Sequence, residues 1–196
     1  MPFVVELPSI PDPARCCELL DGWAYRLLLD SAARGTRLGR YSFLMADPVA
    51  VIRSKGTRTE YVAVASDTVR AVGADVLTEV RELIAPHAAV PVPGQPPFQG
   101  GAAGYLAYDW GRTLERIPAC RYDDLALPDV VLGIYDWVIA WDHDEARAWL
   151  ISTGIPETSS DARAWRAERR ATDVRARLEA ADDSPPTPAV GSGSAR

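Results

Sequence analysis

The sequence is short of the residues that most often carry chemistry. Among 196 residues there are three cysteines, two histidines and a single lysine. Cys16, Cys17 and Cys120 cannot pair completely into disulfides, and no CxxC spacing occurs. With only His87 and His143 to join them, a zinc site is not expected. Lys55 is the lone lysine amine, so any Schiff-base chemistry would fall to it. The remaining basic side chains are arginines, which stay charged and do not shuttle protons. Net charge is −6, from 21 Lys+Arg against 27 Asp+Glu. That acidic balance offers no footprint for nucleic acid or for an anionic membrane surface. No run approaches the roughly 18 apolar residues of a membrane span. Residues 1–6 place no basic region ahead of an apolar stretch, so no signal peptide is expected. Together these absences predict a reduced, soluble, cytoplasmic protein.

What is present is ordinary globular composition, 47% hydrophobic and 24% charged, enough for one domain that needs no covalent staple. Residues 3–7 read as a strand ended by Pro8, and Asp12-Pro13 as the capped start of a helix to about residue 20. Residues 24–31 and 41–46 read as buried strands. Residues 49–53 and 57–64 suggest a hairpin through 54–56. Between 74 and 86, Val76, Leu77, Val80, Leu83 and Ile84 recur at helical spacing. A proline-rich connector follows at 91–97. The apolar run 130–141 turns through 142–145 into 148–152, a hairpin in which Trp137, Trp141 and Trp149 supply aromatic pairs across strands. Ser160 caps a last helix with a narrow stripe of Ala164, Ala167, Ala171, Val174, Leu178 and Ala181. That stripe is expected to lie on its own domain, although it would also suit a partner surface. The Pro-, Gly- and Ser-rich end is expected to be disordered.

Few side chains stand out as candidates for function. Gly100, Gly101 and Gly104 match neither the GxxxxGK[ST] nor the GxGxxG spacing, so close backbone approach is preferred to phosphate binding. His143 reads as a turn histidine, and His87 as a helix-end residue whose positive charge suits the helix dipole. Cys16 and Cys17 read as packing residues of a helix. Ser31 ends an apolar strand, where its hydroxyl either satisfies the following turn or faces a ligand.

Three stretches, in order, carry a resemblance. They are Leu28-Leu29-Asp30-Ser31 followed by Gly39-Arg40-Tyr41-Ser42-Phe43; residues 97–109, with Gly100, Gly101, Gly104, Tyr108 and Asp109; and residues 135–143, YDWVIAWDH. Over about residues 3–155 the chain resembles the N-terminal region of the large chorismate-using subunits, aminodeoxychorismate synthase component I and anthranilate synthase component I. Residues 111–118 and 135–143 bring it nearer the aminodeoxychorismate branch.

The resemblance implies an α+β fold of two packed, mostly antiparallel β-sheets flanked by helices, over residues 1–155. A C-terminal helix over 156–182 and a tail over 183–196 follow. It implies no catalytic residue and no metal ligand here, because in the family the Mg²⁺ ligands and the groups that act on chorismate belong to a C-terminal chorismate-binding region. The chain is therefore expected to be inactive alone. The implied partners are that region, a glutamine amidotransferase subunit and tryptophan, with no nucleic acid and no membrane. The family's tryptophan pocket maps onto Ser31, Arg40, Tyr41, Ser42 and Phe43. Asp30 stands where the feedback-regulated branch commonly carries glutamate. A free-standing amino-acid-binding module is the alternative reading.

Overall fold

The strand-forming stretches pair into two antiparallel sheets of five. The computed structural model describes residues 1–8, 12–33, 35–73, 75–88, 90–118 and 122–182. The first sheet is ordered β1 (Phe3–Glu6), β10 (Arg147–Ser152), β9 (Trp137–Asp142), β3 (Tyr41–Met45) and β2 (Leu27–Leu29). The second is ordered β6 (Thr68–Ala71), β5 (Arg58–Ala63), β4 (Ala50–Lys55), β8 (Val130–Tyr135) and β7 (Gly101–Leu106). Three helices complete the fold: α1 (Pro13–Leu19), α2 (Val76–Ile84) and α3 (Ser160–Asp182).

Alternation along the strands sets the layers, because successive side chains point to opposite faces. On the first sheet Leu44, Trp137, Ile139, Trp141, Ala148 and Leu150 face Cys16 and Leu20 at α1 and Ala171 and Val174 of α3. On its other face Met45, Val138, Trp149 and Ile151 meet Ala103 and Tyr135 of the second sheet. The outer face of the second sheet, Ala50, Ile52, Val130, Leu132 and Ile134, is covered by Val76 and Val80 of α2. The order is therefore helix, sheet, sheet, helix. This is the α+β class implied by the resemblance.

The start of α1 is capped as expected, and that of α2 is capped without having been anticipated. Asp12 accepts from the Arg15 amide ahead of Pro13, and Asp75 accepts from the Leu77 amide. Ser160, the expected cap of the last helix, is the first residue of α3, and Ser159 Oγ accepts from the Ala162 amide instead. Several expectations are corrected. The strand expected over 24–31 shrinks to three residues, because Tyr25 adopts a left-handed backbone with φ 48°. The hairpin turns two residues later than expected, at Gly56-Thr57, where Gly56 has φ 56° and donates its N–H to Asp129. The apolar run 130–141 is two strands in different sheets, divided at the fully buried Asp136. The tryptophans do not pair with one another across strands. Trp141 faces Ala148, Trp149 faces Ala140 and Trp137 faces Ser152, so each large ring sits opposite a small residue. Trp137 instead meets Trp23 edge-on, with ring centres 5.8 Å apart. β6 was not expected at all.

α3 lies on its own domain through Ala167, Ala171 and Val174, while Ala164 is exposed. Its arginines reach back to the fold: Arg163 donates to the carbonyls of Thr153 and His87, and Arg166 to that of Ile155. His87 is half-buried in a 3-10 turn, and burial together with Arg163 pushes its pKa down. It is not the cationic helix-end residue expected. Cys120 and residues 183–196, including the expected disordered tail, lie outside the described residues.

Candidate functional site

The β2–β3 ladder pairs Leu27 with Met45, Leu28 with Leu44 and Leu29 with Phe43. One step further, side chains take over from the backbone. The Ser31 amide donates to Ser42 Oγ (3.1 Å), the Ser31 hydroxyl to the Tyr41 carbonyl (2.6 Å), and the Ser42 hydroxyl to Asp30 Oδ1 (2.7 Å). A strand that ends in Asp30-Ser31 opposite Tyr41-Ser42 thus stays tied after regular pairing stops. Ser31 donates across to the β3 backbone, not into the turn that follows it, where its turn-satisfying reading placed the hydroxyl. It also lines a cleft.

That cleft has a volume of about 610 Å³, inside the roughly 300–1,000 Å³ range of small-molecule sites. Leu28, Leu29, Asp30, Ser31, Leu38, Arg40, Tyr41 and Phe43 form its walls. Tyr41 and Phe43 stack at 6.1 Å, and Phe98 meets Phe43 edge-on at 5.8 Å. Four of the five expected effector residues, Ser31, Arg40, Tyr41 and Phe43, therefore share one wall system. Ser42 does not: it is completely buried and works from behind the wall.

Arg40 is held by the turn that joins β9 to β10. Its Nε and Nη2 grip both oxygens of Asp142, with Nη2 2.6 Å from Oδ2, and Nη2 also reaches Glu145 at 3.3 Å. Nη1 takes no partner among the described residues. Asp142 accepts the Asp144 and Glu145 amides as well, shaping the turn. Burial alone would raise the Asp142 carboxyl, but the hydrogen bonds from Arg40 and from these amides hold it below the ordinary carboxylate value. The same turn returns His143, whose amide donates to the Arg40 carbonyl and whose Nε2 lies 2.7 Å from Ser42 Oγ. His143 is a turn residue as expected. Its contact with Ser42, 101 residues away, was not legible.

The glycine element is structural in this geometry. Gly104 packs so closely on β8 that a Cβ there would lie 1.9 Å from the Val131 carbonyl oxygen. Gly100 precedes β7 and Gly101 opens it. Tyr108 and Asp109 lie beyond it in a 3-10 turn, Tyr108 exposed and Asp109 paired with Arg112 at 2.7 Å. No α-helix follows the glycines to aim amides at a phosphate. Lys55 is tied to Asp123 at 2.7 Å and Asp129 at 3.2 Å. The bond to Asp123 foremost pushes its pKa up, the opposite of an activated amine. Among the described residues no group of three His, Cys, Asp or Glu side chains could hold a metal ion. Nor is any described helix long and apolar enough to cross a membrane.

A family model for chorismate binding enzymes matches residues 25–193. Aminodeoxychorismate synthase component 1 of Klebsiella aerogenes is 34% identical over 158 residues, which cover 80% of this chain and 35% of that protein. Anthranilate synthase component 1 of Mycobacterium tuberculosis (strain ATCC 25618 / H37Rv) is 37% identical over 140 residues, covering 69% of this chain and 27% of that protein. In structure, the chain is similar to anthranilate synthase component I from Streptococcus pneumoniae TIGR4. The TM-score is 0.55 at 20% identity, over 94% of this chain and 37% of that one, a likeness of fold. The chain spans about a third of the length of the curated relatives it matches most extensively. On the family match and these identities, it belongs to the chorismate binding enzyme family.

Proposed function

We propose that this chain acts as the N-terminal, non-catalytic part of an aminodeoxychorismate synthase component I, and that its cleft holds an aromatic amino acid, tryptophan foremost. The observation that carries the reading is the cleft itself. Its apolar and aromatic walls, Leu28, Leu29, Tyr41 and Phe43, suit an indole. Asp30 suits an ammonium group, and the Arg40 guanidinium on the same wall suits a carboxylate. The chemistry of chorismate amination needs a group to hold carboxylates and an acid for the departing hydroxyl. The described residues supply no acidic cluster for Mg²⁺, so a metal does not fit here and would belong to the remainder of the longer enzyme.

A face for that remainder is available. Leu106, Tyr108, Leu114, Leu125 and Leu127 are all exposed along the β7 edge and the segment that leads to β8. Exposed apolar side chains on and after an edge strand suit a docking element. The second component of the working enzyme, in this reading, is a glutamine amidotransferase subunit that delivers ammonia. The anthranilate branch is the second reading, favoured by the 37% identity to the mycobacterial anthranilate synthase component 1.

Calorimetric titration of the 196-residue chain with L-tryptophan tests the cleft. Heat that saturates below millimolar ligand is expected, and none at millimolar ligand would refute it. Incubation with chorismate, ammonia and Mg²⁺ should yield neither aminodeoxychorismate nor anthranilate. Product formed by this chain alone would overturn the non-catalytic assignment.

A further inference from the structure

Ser42 Oγ has three neighbours and one proton. The Ser31 amide at 3.1 Å has only a hydrogen to give, so it takes one lone pair. Asp30 Oδ1 at 2.7 Å and His143 Nε2 at 2.7 Å compete for the rest. An ionised carboxylate only accepts, so the hydroxyl proton goes to Asp30. His143 must then donate from Nε2, filling the second lone pair. This assignment leaves the buried hydroxyl fully satisfied, as a fully buried polar group requires. The opposite tautomer would draw the proton away and leave Ser42 Oγ and Asp30 Oδ1 2.7 Å apart with no hydrogen between them.

The consequence reaches the cleft. Among the described residues Asp30 is the only carboxylate in its walls, and it is held from behind by Ser42. Ser42 in turn is held by a histidine anchored independently, through its amide on the Arg40 carbonyl. Resting on the amino-acid-binding reading of the cleft, we propose that His143 is a positioning residue: by donating from Nε2 to Ser42, it fixes the hydroxyl that aims Asp30 at the ammonium group of a bound amino acid. His143 itself does not line the cleft. Its effect is on where the carboxylate points.

Two measurements on the 196-residue chain test this. Nitrogen-15 NMR of the ring should find neutral His143 protonated at Nε2, and an Nδ1–H tautomer would overturn the proposal without reference to any ligand. Tryptophan titrations should then find His143→Ala weakened by about tenfold, the scale of one lost hydrogen bond. His143→Gln, which keeps an N–H near the same position, should recover to within about threefold. Ser42→Ala should weaken binding as much as His143→Ala, and the double variant no further, because the two act as one unit. Equal loss in His143→Gln and His143→Ala at matched thermal midpoints would overturn the positioning role, as would binding that survives His143→Ala. A wild-type chain that binds no tryptophan overturns both this role and the cleft reading, whereas the other outcomes leave the cleft reading standing.

Discussion

Arg40 illustrates how one residue of a recognisable motif divides its duties. Its Nε and Nη2 are committed to Asp142, Nη2 reaches Glu145 as well, and the guanidinium lies over the Tyr41 ring of the cleft wall at 5.0 Å. The Asp142 carboxyl is held below its ordinary value, so its stabilising contribution is full above the unfolded pKa of about 3.9 and is lost as pH falls through the lower folded value. Replacing Arg40 with alanine removes much of that hold. Thermal midpoints followed from pH 7 to pH 2 should then begin to fall at higher pH than in the wild type; parallel curves would refute the coupling. His87 behaves on the same side of the balance by a different cause. Burial, then Arg163, lowers its folded pKa, so the unfolded chain takes up the proton first as pH drops. Stability is full above about 6.5 and declines below it. His87→Gln should flatten the slope of thermal midpoint against pH below 6.5, and an unchanged slope would reject this account. Neither effect was legible beforehand, because Asp142 and Arg163 lie far from their partners in sequence.

At the scale of elements, the glycine strand permits the sharpest contrast. Alanine at Gly104 would put its Cβ 1.9 Å from the Val131 carbonyl, with backbone that cannot yield without breaking the β7–β8 ladder. Alanine at Gly101 meets nothing within 4 Å, although φ there is 119°. Guanidinium unfolding should find Gly104→Ala destabilised by about 4 kcal/mol or more. Gly101→Ala should lose only the strain of its backbone, about 1–3 kcal/mol. Equal losses would mean that the close approach is not what the motif secures. The helices were legible in sequence because their signals are local: Asp12-Pro13 and the Val76–Val80 face needed no tertiary context. β6 was not legible, since all four of its residues are exposed on a sheet edge and the alternation of Thr68-Val69-Arg70-Ala71 is too short and marks no buried face. The division at Asp136 was hidden for the opposite reason. Strands buried on both sides read as one continuous apolar run. The cleft was legible only through the resemblance, because the residues that hold its wall, Asp142 and His143, are contributed by a distant hairpin.

The whole molecule is held together where the chain passes between its sheets, and α3 does the holding. β3 leaves for β4 through Asp47, and β8 leaves for β9 through Asp136. Arg170 of α3 reaches both: its Nε lies 3.3 Å from Asp136 Oδ1, and its Nη2 contacts the Asp47 carboxylate at 2.8 Å and its carbonyl at 2.5 Å. Trp23 lies under the same guanidinium. Asp136 has no exposed surface, and burial pushes its carboxyl upward against the pull of Arg170 and Arg166. Its second oxygen accepts no hydrogen bond, with Arg166 3.5 Å away. A buried carboxylate in this position depends on Arg170. Removing one partner of a buried pair typically costs about 3–5 kcal/mol, since the other charge is left without compensation. Arg170→Ala should therefore destabilise the chain on that scale by chemical denaturation. Asp136→Asn placed in the same background should restore part of the loss, with a coupling of about 1–3 kcal/mol, because it removes the stranded charge. Additive losses would show instead that Arg170 contributes mainly through its packing on Trp23. The stripe of small residues on α3 thus explains only how the helix lies down; the arginine beside it ties that helix to both places where the chain crosses from one sheet to the other.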